Sequence, residues 1–124
     1  MKKDRKARGH WGERLAARHL VRRGFTILER NWTVKRGELD IIAKEGDTLV
    51  FVEVRTRRND AMVSPEESIN HNKRMRLINL AREYLCTHDA GDSEVRFDLV
   101  AVRYGTLGIL GRCEHYRGIF EADG

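Results

Sequence analysis

Two apolar runs, Glu38-Leu39-Asp40-Ile41-Ile42-Ala43 and Leu49-Val50-Phe51-Val52-Glu53-Val54-Arg55, flank the charged segment Lys44-Glu45-Gly46-Asp47. Both runs are rich in β-branched and aromatic residues and the segment between them carries a glycine, so the stretch reads as a β-hairpin. Apart from their charged positions the runs are apolar on both faces, as strands in the middle of a covered sheet are. Side chains alternate along a strand. Glu38, Asp40 and Ile42 therefore share one face, and Leu39, Ile41 and Ala43 the other. In the second run Leu49, Phe51, Glu53 and Arg55 lie opposite Val50, Val52 and Val54. A four-residue loop, Lys44 to Asp47, pairs Ala43 with Thr48, Asp40 with Phe51 and Glu38 with Glu53. Asp40 and Glu53 are then diagonal neighbours about 7–8 Å apart between backbones. A one-residue slip would put them on opposite faces.

Outward from the hairpin, Trp11, Leu15, Ala16, His19 and Leu20 recur at helical spacing over Gly9 to Arg23. Gly24 then stops the helix at the position a C′ glycine favours. Phe25 to Trp32 reads as a strand. Ser64-Pro65-Glu66-Glu67 supplies an N-cap serine, a first-turn proline and two acids. That helix is expected to run through Leu85, with Lys73, Leu77, Leu80, Ala81 and Tyr84 along one stripe. Val95 to Val102 is a strand, Gly105 to Gly111 a loose turn region, and Tyr116 to Phe120 a short final strand. The expected order is α-β-β-β-α-β-(β), a mixed sheet flanked by helices. Residues 1–8 read as a flexible basic arm and 9–124 as a single domain.

The 124 residues are 40% hydrophobic and 35% charged, enough for a core beneath a heavily charged surface. Lys and Arg number 24 against 19 Asp and Glu, a formal +5, which excludes an acidic disordered chain and favours an anionic partner. No apolar run exceeds four residues, so no membrane association is expected. The first residues lack the apolar stretch of a secretory signal, and a cytoplasmic location is the expectation. Cys86 and Cys113 stand apart and read as reduced thiols. His10, His19, His71, His88 and His115 show no metal-ligand spacing.

Ionised carboxylates inside a covered sheet are costly unless neutralised. Two readings of Asp40 and Glu53 stand side by side. In one, Arg36, Arg55 or Arg57 pairs with the acids. In the other, Asp40, Glu53 and water hold a hard divalent cation, Mg2+ or Mn2+. Basic residues cluster at Lys2 to Arg8, at Arg22 and Arg23, at Arg55, Arg57 and Arg58, and at Lys73, Arg74 and Arg76. Arg57 and Arg58 leave their strand just beyond Glu53, where a backbone phosphate would lie, which favours nucleic acid recognised by charge and shape. Lys73 either reaches such a phosphate or snorkels past the helix start. Asp98 and Arg96 share a strand face and read as a structural pair. Trp11 and Trp32 are expected in the core.

Asp40, twelve intervening residues and then Glu53-Val54-Arg55 resemble the PD-(D/E)xK nuclease motif. Gly12-Glu13 with Ala16 and Ala17, Arg30-Asn31-Trp32, Gly37 to Ala43, Phe51 to Arg57, Lys73 and Arg96-Phe97-Asp98 follow in order. Together they resemble the YraN family of small bacterial proteins, related to archaeal Holliday-junction resolvases, over Gly9 to Val102. The resemblance implies a restriction-endonuclease-like α/β fold and a metal-dependent nuclease-like site. Asp40 and Glu53 match its metal-binding pair, and Glu13 matches the first-helix acid that joins it. Without the resemblance, Glu13 reads as an acid complementing a helix dipole. Glu38 is the runner-up carboxylate. Arg55 stands where these nucleases usually carry Lys, and a guanidinium stays charged where an amine can lose its proton. It suits charge stabilisation in catalysis but not a base. The expected functions are a structure-selective DNA endonuclease or, alternatively, a non-catalytic nucleic-acid-binding module. Resolvases work as symmetric dimers, so a homodimer is implied as well.

Overall fold

The computed structural model describes residues 2–62, 64–88, 90, 92–105 and 110–121. The side chains of residues 2–8, 65, 66 and 110 lie outside the description, as does most of the expected glycine-marked turn, residues 106–109. Helix α1 (Lys2–Arg22) leads into strands β1 (Thr26–Val34), β2 (Gly37–Glu45) and β3 (Thr48–Arg58). The one-turn helix α2 (Pro65–Ser68) and helix α3 (His71–Thr87) follow, then β4 (Glu94–Tyr104) and β5 (Leu110–Phe120). The strands lie in the order β1-β2-β3-β4-β5. All neighbours are antiparallel except β3 and β4, which run parallel. A parallel pair needs a long crossover, and α2 with α3 provides it. The result is the mixed α/β layout expected from the sequence, with β5 as a full final strand.

Both sheet faces are covered, which is why the inner strands are apolar throughout. On one face Ala16, Ala17 and Leu20 of α1 pack on Ile41, Ala43, Val50, Val52, Val100 and Val102. On the other, Leu77, Ile78, Leu80, Ala81 and Tyr84 of α3 pack on Leu39, Ile42, Leu49, Phe51, Phe97 and Leu99. Small residues let α1 come close: a Cβ on Gly12 would sit 2.5 Å from Thr56 Cγ2. Among the described residues no helix is long and apolar enough to cross a membrane. Cys86 and Cys113 are both free.

Several expectations need correction. The helix begins at Lys2, through the stretch expected as an arm, rather than at Gly9. The helix started by Ser64 does not run on to Leu85. Its capping box is present, with Ser64 Oγ accepting from Glu67 N, but α2 stops at Ser68. Ile69 turns extended and is buried in the core, and Asn70 caps α3 by accepting from Lys73 N at 2.9 Å. Trp11 is 55% exposed, with the Arg14 guanidinium 4.8 Å above its ring. Trp32 does pack inward, edge-on to Tyr84.

The hairpin register also shifts. Glu45 pairs with Thr48, so the turn is Gly46-Asp47 alone, with Gly46 at φ +59°. Ala43 lies opposite Val50 and Ile42 opposite Phe51, two residues from the expected pairing. An even shift leaves every side chain on its face, but it moves Asp40 from opposite Phe51 toward Glu53. Alternation then breaks at Asp40, because Leu39 packs with Ile42 beneath α3 while Ile41 and Ala43 pack beneath α1. In β1 the matching position is Asn31, between the pairs Arg30–Ile41 and Trp32–Leu39, at φ 55°. Asparagine is among the few residues that tolerate this left-handed conformation.

Candidate carboxylate site between β2 and β3

The β2–β3 ladder ends at Ile41–Val52. Just past it the Val54 N–H donates to Asp40 Oδ2 at 2.9 Å, so a side-chain oxygen takes a bond that a strand carbonyl would otherwise accept. This holds Asp40 beside Glu53, and the two carboxyl groups share a hydrogen bond. Glu53 is only 7% exposed. Lys73 Nζ from α3 lies 3.1 Å from Glu53 Oε2, and Arg55 Nη2 lies 3.3 Å from the same oxygen. Glu53 thus faces the α3 side of the sheet.

Two carboxylates this close cannot both ionise cheaply. Burial, with the hydrogen bond and negative charge of Glu53, pushes Asp40 far above the usual carboxylate range, to about 9. Burial also disfavours ionised Glu53, but the hydrogen bond from Asp40 and the charges of Lys73 and Arg55 outweigh it and hold Glu53 low. Near neutral pH the pair therefore favours one proton held between the two carboxyl groups over two negative charges. Arg55 contributes a further feature: its Nε is buried with no hydrogen-bond partner among the described residues. A guanidinium whose Nη2 holds Glu53 keeps a donor to spare.

Glu13 projects from α1 toward the same strands. Burial raises its pKa, a hydrogen bond with Asn31 opposes the rise, and the charge of Glu38 adds to it. Its charge adds in turn to the shift at Asp40. Glu13 is not drawn into a tight cluster, since no group of three His, Cys, Asp or Glu among the described residues is placed to hold a metal ion. Glu38 is exposed. Arg57 is half-buried and donates to Thr56 O; burial, then the nearby charges of Arg55 and Arg103, lower its pKa. Arg58 is exposed and pairs with Asp60 at 3.4 Å.

Two contributors escaped sequence reasoning. Asn31 shapes the strand opposite Asp40 and bonds Glu13, and its only local signal is an asparagine in mid-strand. His115 bonds Asp98 Oδ2 through Nε2 at 2.8 Å, beside the expected Arg96–Asp98 pair, whose Nε–Oδ1 distance is also 2.8 Å. The Gly118 N–H donates to the same carboxylate. Nothing near residue 115 in the sequence points to residue 98.

Known proteins resemble this chain along most of its length. The sequence pattern of the uncharacterised protein family UPF0102 matches residues 12–102. A UPF0102 protein of Beutenbergia cavernae is 47% identical over 111 residues, covering 90% of this chain and 93% of the relative. One from Nitratidesulfovibrio vulgaris is 50% identical over 117 residues, covering 94% and 86%. Among solved structures, Pyrococcus furiosus SfsA in complex with Ca2+ aligns over 91% of this chain and 62% of its own, at 18% identity and a TM-score of 0.41. A likeness that weak decides neither fold nor function.

Proposed function

This chain belongs to the uncharacterised protein family UPF0102, the YraN family, and we propose that it is a nucleic-acid-binding protein whose Asp40–Glu53 pair takes a divalent cation and hydrolyses phosphodiesters. The observation that carries this reading is the placement of the two acids side by side at the end of the β2–β3 ladder, where they repel unless one holds a proton. A cation that displaces it would satisfy both carboxylates at once, and two hard oxygen donors completed by water suit Mg2+ or Mn2+. Asp40 and Glu53 would hold the ion, and Glu13, whose charge acts on Asp40, would take part only through water. When bound, the ion would supply Lewis acidity toward water and the scissile phosphate.

The other residues act on the phosphate. The permanent charge of Arg55 would stabilise negative charge that develops on the phosphate. Arg57, Arg58 and Lys73 would contact the backbone beyond the scissile position, and DNA is the expected substrate. One observation favours the alternative of a binding module without turnover: Lys73 and Arg55 already compensate Glu53. Under either reading a cytoplasmic location and a homodimer are expected.

Labelled branched, single-stranded and duplex DNA, incubated with the protein in Mg2+, Mn2+ or EDTA, separates the readings. Metal-dependent cutting that Asp40→Asn abolishes establishes the nuclease. Salt-sensitive binding with no cutting, in wild type and in Arg55→Lys, establishes the module. If DNA is neither bound nor cut, both readings fail.

A further inference from the structure

On the α1 side of the sheet, across from the face toward which Glu53 points, a cleft of 290 Å³ opens between α1 and the edge strand β5. Leu15, Arg18, His19 and Arg22 line it from the helix, and Gly111 and Cys113 from the strand. No carboxylate of the described residues lines it. Arg18 and Arg22 are exposed and have no ion-pair partner among the described residues. Asp98, behind the cleft, is fully engaged by Arg96, His115 and the Gly118 N–H.

The field in the cleft is accordingly positive. Burial lowers the pKa of His19, and every charged group acting on it beyond that is basic: Arg23, His115 and Arg22. Burial pushes the Cys113 thiol up, so it adds no negative charge. Leu15 and Cys113 make the floor apolar, which strengthens an ion pair formed above it. Arg18 and Arg22 stand one turn apart, about 6 Å along the axis, and their planar forks match phosphate oxygens. Arg14 continues the row a turn earlier, stacked on the exposed Trp11.

We infer that this cleft is a phosphate-binding site in which Arg18 and Arg22 clasp the anion over the Leu15–Cys113 floor. The phosphate belongs either to a terminal phosphate ester or to a nucleic-acid backbone. The site does not depend on the carboxylate pair across the sheet, so either can fail without the other.

The test titrates inorganic phosphate, a 5′-phosphorylated thymidine oligonucleotide and the same oligonucleotide without that phosphate into the full chain, following His19 and Cys113 by NMR. Saturable shifts are expected that weaken about tenfold or more in the Arg18→Ala/Arg22→Ala double variant and persist in Glu53→Gln. Both arginines are exposed and free of ion pairs among the described residues, so the double variant should fold. A response to inorganic phosphate and only the phosphorylated oligonucleotide supports a terminal ester. An equal response to both oligonucleotides supports the backbone. No saturable shift with any of the three, or shifts unchanged in the double variant, overturns the inference.

Discussion

Lys73 reaches from α3 to place its ammonium 3.1 Å from Glu53 Oε2, joining the helix to the charged point of the sheet. Lys73→Met keeps the stem's packing but removes the charge, leaving Arg55 as the remaining basic partner of Glu53. Because Lys73 is partly exposed, the expected loss is moderate, about 1–2 kcal/mol in urea unfolding. Pairing it with Glu53→Gln should recover part of that loss. Additive effects in the double-mutant cycle would show that the contact contributes nothing.

Asp40→Asn and Asp40→Ala should part company. The amide of Asn offers an oxygen to the Val54 N–H and a donor to Glu53, so the metal-free protein should unfold within about 0.5 kcal/mol of wild type. Alanine leaves a part-buried N–H unpaired and should cost about 1–3 kcal/mol. Mg2+ or Mn2+ should raise the wild-type Tm and leave that of Asp40→Asn unmoved. An equal rise in both would remove the cation from this site.

Acid stability should be governed by Asp98. Burial disfavours its ionised form, yet hydrogen bonds from His115, Arg96 and the Gly118 N–H prevail and hold its pKa at about 2. A folded-state pKa below the unfolded one stabilises the protein above about pH 4. That contribution, on the order of 2 kcal/mol, is lost as the pH falls from about 4 through 2. Asp98→Asn should be less stable at neutral pH and lose this part of the acid slope in a series of unfolding curves. An unchanged slope would assign the acid sensitivity to other groups.

Gly12→Ala tests how closely α1 sits on β3. Its Cβ would fall 2.5 Å from Thr56 Cγ2, too near for any contact, so the Thr56 side chain must turn or the helix must shift away from the strand. The expected cost is about 1–3 kcal/mol. Thr56→Ser removes the offending methyl and should restore most of the loss when combined with Gly12→Ala. Failure to restore it would place the strain elsewhere.

What could be read in the sequence follows the range of the forces involved. Strands β2, β3 and β4 announce themselves through local runs such as Leu49 to Val54, and Gly24 marks the end of α1 as expected. The register of the hairpin depended on the turn alone. Gly46 accepts a positive φ, which permits a two-residue turn where its charged neighbours suggested four. The two-residue shift leaves the β3 side chains on their faces, and Asp40 meets Glu53 where alternation breaks, held by the Val54 N–H. The break in alternation at Asp40 needs Asn31 on another strand, and the partnership of His115 with Asp98 spans seventeen residues; neither leaves a periodic trace. Trp11 was expected inside from its spacing with Leu15, but the close approach at Gly12 turns it toward solvent.

The Asp40 carboxyl group has two duties that cannot be separated by charge alone. One oxygen closes the seam between two inner strands, while the group as a whole sets how much negative charge the neighbouring glutamate can share. A descendant with no use for the charge at this spot would still be obliged to keep an oxygen there, or let the seam fray. Asparagine is the residue that meets that obligation, and its appearance at position 40 in a relative would mark a seam kept after the charge was given up.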